Sequence, residues 1–244
     1  MTSKTLWVVN YNDVNEFLDK ALAVGVTSVA IRTDNDLKKA ISVFHSKGIE
    51  VFGWRWPSAK KDPAMNEANK VIGLFNNGLD GYYVDPERAP GQPYDWDQQG
   101  LSDLATAFCE AIVSSPGAKG KPFGVTSHYR AKQVFPNLPW AAFFKVATVL
   151  LPQAYWRTDG GTIGHGDPGD NYDRSIQAWS TAPGASGKKI VPMAGELAHS
   201  NAAEIAEYAA AAKASNIDAL HFYAYSDSVA EPVWDAVKQA GMGA

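Results

Sequence analysis

Apolar and polar positions along the chain follow two alternating periods. Short runs rich in β-branched and aromatic residues repeat every second position. Each is followed by a segment with the three-to-four spacing of an amphipathic helix. LWVVN from Leu6 leads into DVNEFLDKALAVG, TSVAIRT into NDLKKAISVFHSKG, EVFGWRW into DPAMNEANKVIGLFNNG, and GYYVDPE into DQQGLSDLATAFCEAIV. The second half continues with FGVTSHY and a weaker helix around LPWAAFFKV, then VLLPQAYW and DNYDRSIQAW. It closes with IVPMAGEL and NAAEIAEYAAAAKASN, then ALHFYAYSD and PVWDAVKQAG. Gly25, Gly48 and Gly78 stand where three helices should stop, and Asn12-Asp13, Asp34 and Asn201 where others should start.

Eight strand-plus-helix units with no linker predict an α/β fold, a (β/α)8 TIM barrel, with residues 1–244 as one domain. An open doubly wound sheet is the competing architecture. It usually carries a Gly-rich phosphate turn after its first strand, and VVNYNDVN has none. The barrel ties function to position, because active sites in this architecture lie on the loops at the C-terminal ends of the strands.

Collected in order, those ends are Asn10, Arg32, Trp54 with Trp56, Asp85 with Glu87, Thr126 with His128, Gln153 with Tyr155, Glu196, and Tyr223 with Tyr225 and Asp227. Carboxylates, amides, hydroxyls and flat aromatic faces converge on one mouth. Sugars present C–H faces that lie on aromatic rings and hydroxyls that need fixed donors and acceptors, so the expected partner is a polysaccharide or oligosaccharide. A phosphate ligand would call for basic or glycine-rich turns after strands seven and eight, and AGELAHS and YAYSDS supply neither.

Within LDGYYVDPERAP, Asp85 and Glu87 share an inward face with Tyr83. One reading is an ion pair with Arg88 or Arg32. The other is acid catalysis, in which mutual repulsion and apolar neighbours raise one carboxyl pKa so that it can protonate a glycosidic oxygen. Glu87 would be the proton donor, and Asp85, one layer deeper, would orient the reacting group.

Asp80-Gly81-Tyr82-Tyr83-Val84-Asp85-Pro86-Glu87 resembles the DGxDxDxE signature of family 18 glycoside hydrolases, the chitinases and endo-N-acetylglucosaminidases. Asp80, Gly81, Asp85 and Glu87 match, and Tyr83 replaces the middle Asp. Gln153-Ala154-Tyr155-Trp156 is similar to that family's MxYD, with Tyr155 matched and Trp156 in place of the Asp. The resemblance implies Glu87 as acid, and Asp85 with Tyr155 positioning a substrate N-acetyl group that acts as nucleophile. The same acidic pair resembles family 25 lysozymes, which cleave peptidoglycan and carry an Asp on strand one where this chain has Asn10. Both likenesses are distant, and together they imply a glycosidase acting on an amino-sugar polymer.

Glu196 offers a second carboxylate. With Glu87 it could form the nucleophile of a retaining pair; otherwise it caps the next helix or pairs with Arg130 or Arg157. Trp54 and Trp56 share one face and serve either as packing or as a sugar platform. Trp156 either covers the barrel wall or lines the loop, and His128 either positions substrate or is a hydrogen-bonded core histidine. The Gly/Asp-rich stretch RTDGGTIGHGDPGDNYD reads as a long loop suited to a lid or subsite wall.

Charge and composition narrow the classes. A formal net charge of -4 argues against nucleic acid as partner. No apolar run is long enough for membrane insertion, and MTSKTLWVVN lacks a signal-peptide core, so cytoplasmic residence or release by a non-standard route or lysis is expected. The single cysteine, Cys109, sits in a helical pattern and reads as core. HxH, HExxH, CxxC and nucleophile-elbow patterns are missing from the sequence, so neither a metal nor another cofactor is expected. An isomerase or aldolase would want a lysine at a strand end, and none stands there. A carbohydrate-binding barrel without turnover is the alternative to the glycosidase.

Overall fold

The computed structural model describes residues 2–157 and 166–242. The strands are β1 (Ser3–Val8), β2 (Ser28–Arg32), β3 (Glu50–Arg55), β4 (Gly81–Val84), β5 (Phe123–His128), β6 (Val149–Gln153), β7 (Lys189–Ile190), β8 (Met193–Gly195) and β9 (Ala219–Tyr225). All pair in parallel, and β7 and β8 are two pieces of the seventh barrel position. Pairings of β1 with β9 and of β5 with β6 close the sheet, which excludes the open doubly wound alternative. The fold is an eight-stranded (β/α)8 barrel.

Eight helices ring the sheet: α1 (Val14–Ala23), α2 (Leu37–His45), α3 (Lys61–Asn76), α4 (Ser102–Val113), α5 (Trp140–Val146), α6 (Pro168–Ser180), α7 (Ala202–Ala214) and α8 (Glu231–Gln239). Their caps follow the sequence in part. Asp13 accepts from Asn15 N–H, and Asn201 forms a capping box with Glu204. Helix α2 is capped by Asp36 rather than Asp34, because Asp34 is held by Arg32 and Arg55. Asp167 caps α6, which takes in the last six residues of the stretch read above as loop; residues 158–165 of that stretch, His165 among them, lie outside the described residues. Gly25, Gly48 and Gly78 follow their helices with positive φ, as expected.

Side chains, not a channel, fill the barrel. Trp7, Ala30, Phe52, Trp54, Tyr83, Leu151, Val191 and Met193 form the inner cluster, separate from the larger core between sheet and helices. Phe52 stacks on Tyr83 (5.0 Å, 4°) and Tyr83 on Trp7 (5.1 Å, 19°). Gly124 makes this stack possible: a Cβ there would lie 2.6 Å from the Tyr83 ring. Trp7 Nε1 donates to His221 Nδ1 at 3.1 Å, and burial pushes that imidazole down to about 3, so it stays neutral. The result is a rigid aromatic floor beneath the C-terminal mouth.

Cys109 is fully buried, and burial pushes its thiol up, as suits a core residue. No described helix is long and apolar enough to cross a membrane.

Candidate active site

Directly above that floor lies a cavity of about 310 Å³, lined by Trp7, Trp54, Asp85, Glu87, Thr126, His128, Gln153, Tyr155, Met193, Glu196 and Tyr223. A larger groove of about 720 Å³ runs between α7 and α8, toward the opposite pole and away from both acids. We take the smaller cavity as the site because the titratable groups converge there.

The acids emerge just beyond β4. Asp85 N–H still donates to Arg55 O (2.8 Å), so the strand geometry continues past Val84 and keeps Asp85 inward. Ser127 Oγ donates to Pro86 O (2.7 Å), fixing the peptide between the two acids. The loop after Glu87 is anchored by the buried Trp96, whose Nε1 donates to Pro57 O (2.9 Å), and by Asp97, which accepts from the N–H groups of Asn137 and Leu138. Glu87 therefore stands on a fixed base.

Gln153 Nε2 donates to Asp85 Oδ1 at 3.0 Å and to Glu87 Oε1 at 3.1 Å. With Gln153 within hydrogen-bond reach of both, the two carboxyls lie close enough for the charge of Glu87 to oppose ionisation of Asp85. Burial, and then the charge of Glu87, holds Asp85 well above the usual carboxylate range. Burial raises Glu87 to about 7, against the pull of its hydrogen bonds from Asp85 and Gln153. Among the described residues neither acid is paired with arginine: Arg88 pairs with Asp97 (3.4 Å) and Arg32 with Asp34 (2.6 Å). That removes the ion-pair reading of the doublet.

Across the cavity, the Tyr155 ring stacks on Tyr223 (5.4 Å, 19°). Burial raises both phenols, so both hydroxyls remain donors. Gly195 is the condition for this placement, since a Cβ there would lie 2.7 Å from the Tyr155 ring and 2.9 Å from Tyr223 O. His128 is lowered to about 4, by burial and then by Arg130, and its Nδ1 accepts from Arg130 N–H (3.1 Å). Its proton is thus on Nε2, the nitrogen left to donate. Glu196 reaches the cavity wall but is paired with Arg157 at 2.9 Å, not with Arg130.

Of the other residues singled out from the sequence, Trp54 lines this cavity and the rest lie outside it. Arg32 donates to Asn10 Oδ1 (2.8 Å) and sits 5.1 Å over the Trp56 ring, with Arg55 at 5.7 Å. One contact surface of Trp56 is thus already given to guanidinium groups. Trp54 forms the cavity wall and is buried, its Nε1 bonded to Val8 O (2.9 Å). Tyr225 packs between Phe17 and Trp234 and borders a neighbouring cavity with Asn10, while Asp227 lines neither cavity. Trp156 does not bind in the mouth: it is buried outside the barrel against Tyr208 (6.0 Å), because the strand parity that turns Tyr155 inward turns Trp156 outward.

Trp7 and Met193 were missed. Both sit on inward parity positions below the last residue of their strands, so counting back by twos from Val9 and Gly195 would have found them.

No protein-family model matches the chain, and no curated protein matches it in sequence. Solved structures do. A family 18 N-acetylglucosaminidase from Paenibacillus barengoltzii aligns with a TM-score of 0.66 at 12% identity, covering 98% of this chain and 100% of that one. A chitinase from Chromobacterium violaceum aligns with a TM-score of 0.64 at 14% identity, covering 98% of this chain and 99% of that one. A GH2 beta-galacturonidase from Eisenbergiella tayi, bound to galacturonate, aligns with a TM-score of 0.71 at 11% identity over 99% of this chain, which spans about half (51%) of that structure's length. The likeness is one of fold. It fits the distant resemblance read from strands four and six and assigns the chain no activity.

Proposed function

We propose that the protein is a glycoside hydrolase acting on an amino-sugar-containing polysaccharide, of the peptidoglycan or chitin type. The observation that carries this reading is the Asp85–Gln153–Glu87 arrangement: two buried carboxyls with raised pKa values, bridged by one amide donor and open to a cavity of about 310 Å³. That volume sits at the lower end of ligand pockets and suits about one sugar ring.

In this reading Glu87, half-buried and facing the cavity, gives its proton to the glycosidic oxygen. Asp85 lies deeper and, with the Tyr155 hydroxyl, holds the substrate acetamido group against the reacting carbon. Tyr83 stands where family 18 enzymes carry a further acid and belongs to the aromatic floor, so Gln153 takes over the task of orienting Asp85. Glu196, held by Arg157, contributes a fixed negative charge at the wall where positive charge develops on the sugar ring.

Purified protein should release reducing ends from peptidoglycan sacculi or chitooligosaccharides, and Glu87→Gln should abolish release while keeping ligand affinity. The outer placement of Trp156 and the aromatic Tyr83 favour one alternative, a sugar-binding barrel without turnover. In that case wild type and Glu87→Gln would bind alike and neither would cleave.

A further inference from the structure

A second cavity of about 360 Å³ adjoins the acid cavity, and Glu196 and Tyr223 line both. It lies over the C-terminal ends of β8, β9 and β1, where Asn10, His199, Tyr225 and Ser226 complete its walls. The two cavities therefore meet across a ridge made of one carboxylate and one phenol. On the β3–β4 side the mouth is closed, because the loop after β4 is tied to the loop after β3: Ala59 N–H and Ser58 Oγ both donate to Pro93 O, at 2.7 and 2.9 Å.

The second cavity is furnished with unspent donors. Asn10 gives its Oδ1 to Arg32 (2.8 Å), which fixes the amide and leaves Nδ2 without a partner among the described residues. His199 Nε2 stands 3.9 Å from Glu196 Oε2, too far for a hydrogen bond, and its ring is exposed. A fixed amide donor and an exposed imidazole beside two tyrosines are groups that serve sugar hydroxyl and N-acetyl oxygens.

We propose that this cavity is a second sugar subsite, taking the residue of the chain adjacent to the one held at the acids. The inference rests on the carbohydrate reading above and extends it: the ligand is an oligosaccharide of at least two rings, lying from β4–β6 across the ridge toward β1. Asn10 and His199 are its specificity-determining contacts. Glu196 then touches both rings, which gives its pairing with Arg157 a binding role as well as an electrostatic one.

The test is calorimetric titration of Glu87→Gln protein with N-acetylglucosamine and its β-1,4-linked oligomers of two to four residues, with Asn10→Ala and His199→Ala introduced into the same background. Both side chains are exposed, so folding should be retained, and thermal melting checks it. The subsite predicts at least tenfold tighter binding of the two-ring ligand than of the one-ring ligand, and a ratio that falls toward one in both variants. Equal affinity for one and two rings overturns it, as does a ratio that neither substitution changes. Failure of binding at every length also overturns it. Length-dependent binding by a protein that never cleaves keeps the subsite and rejects the hydrolase; cleavage without length dependence does the reverse.

Discussion

Above the aromatic floor Gln153 joins Asp85 and Glu87, donating one amide nitrogen to both, at 3.0 and 3.1 Å. The pair is buried and thus costly to ionise, and among the described residues neither acid is paired with arginine. Its consequences differ for stability, for titration and for catalysis, which makes them separable.

The first concerns stability. Both acids have folded pKa values raised above their unfolded ones, so the native state binds more protons than the unfolded chain across the interval between. Stability contributed by the protonated forms is complete below the unfolded values and is lost as pH rises through the folded ones; for Glu87 that window runs from the ordinary carboxylate range to about 7. Glu87→Gln and Asp85→Asn should therefore raise the melting temperature at pH 8, by a gain on the order of 1 kcal/mol, and flatten its pH dependence. Melting curves of wild type and variants between pH 4 and 8 check this. A lower melting temperature in both variants at pH 8 would count against it.

The second concerns Gln153. Removing its donor with Gln153→Met leaves both carboxyls without their amide partner and makes the anions less favourable. The titration of the pair should move upward, by about one pH unit. Carbon-13 NMR of labelled Asp and Glu side chains reads this directly, whether or not the protein turns over substrate. An unmoved titration would mean that Gln153 only fills space.

The third concerns Gly195. A methyl group there collides with the Tyr155 ring and with Tyr223 O, so Gly195→Ala must displace the tyrosine pair. Activity should fall at least about tenfold, and Gly195→Ala combined with Tyr155→Phe should cost little more than the worse single change. Additive losses would show that the glycine serves something other than the Tyr155 position.

The fourth concerns Glu196. Its pairing with Arg157 assigns it to charge stabilisation and binding, so Glu196→Gln should lower kcat/KM by about ten- to a hundredfold, less than Glu87→Gln. An equal loss, together with a trapped glycosyl-enzyme detected by mass spectrometry, would instead make it the nucleophile of a retaining pair.

Much of this was legible in the residues. The alternation of periods gave eight units and hence the barrel, and period two placed Asp85 and Glu87 on the inner face. It did not reveal that α6 begins at Pro168, because glycine and aspartate there read as loop until Asp167 is seen to cap the helix. Parity was decisive for Trp156, which alternation carried on past Gln153 turns away from Tyr155 and which only a break between the two keeps in the mouth. The pairing of Gln153 with both acids joins residues at least 66 positions apart and spacing alone carries no trace of it, while the choice of Arg157 over the other partners open to Glu196 is made only in the folded barrel. The second cavity likewise depends on how three strand ends meet, which only the closed barrel decides.

The pH dependence of kcat/KM on chitooligosaccharides or solubilised peptidoglycan, measured for wild type and Glu87→Gln, tests the proton donor most directly. Glu87, raised to about 7, predicts activity that falls about tenfold per pH unit above that value, and a variant slower by at least about a hundredfold with that limb missing. A Glu87→Gln protein that keeps wild-type rates and the same alkaline limb would contradict the assignment.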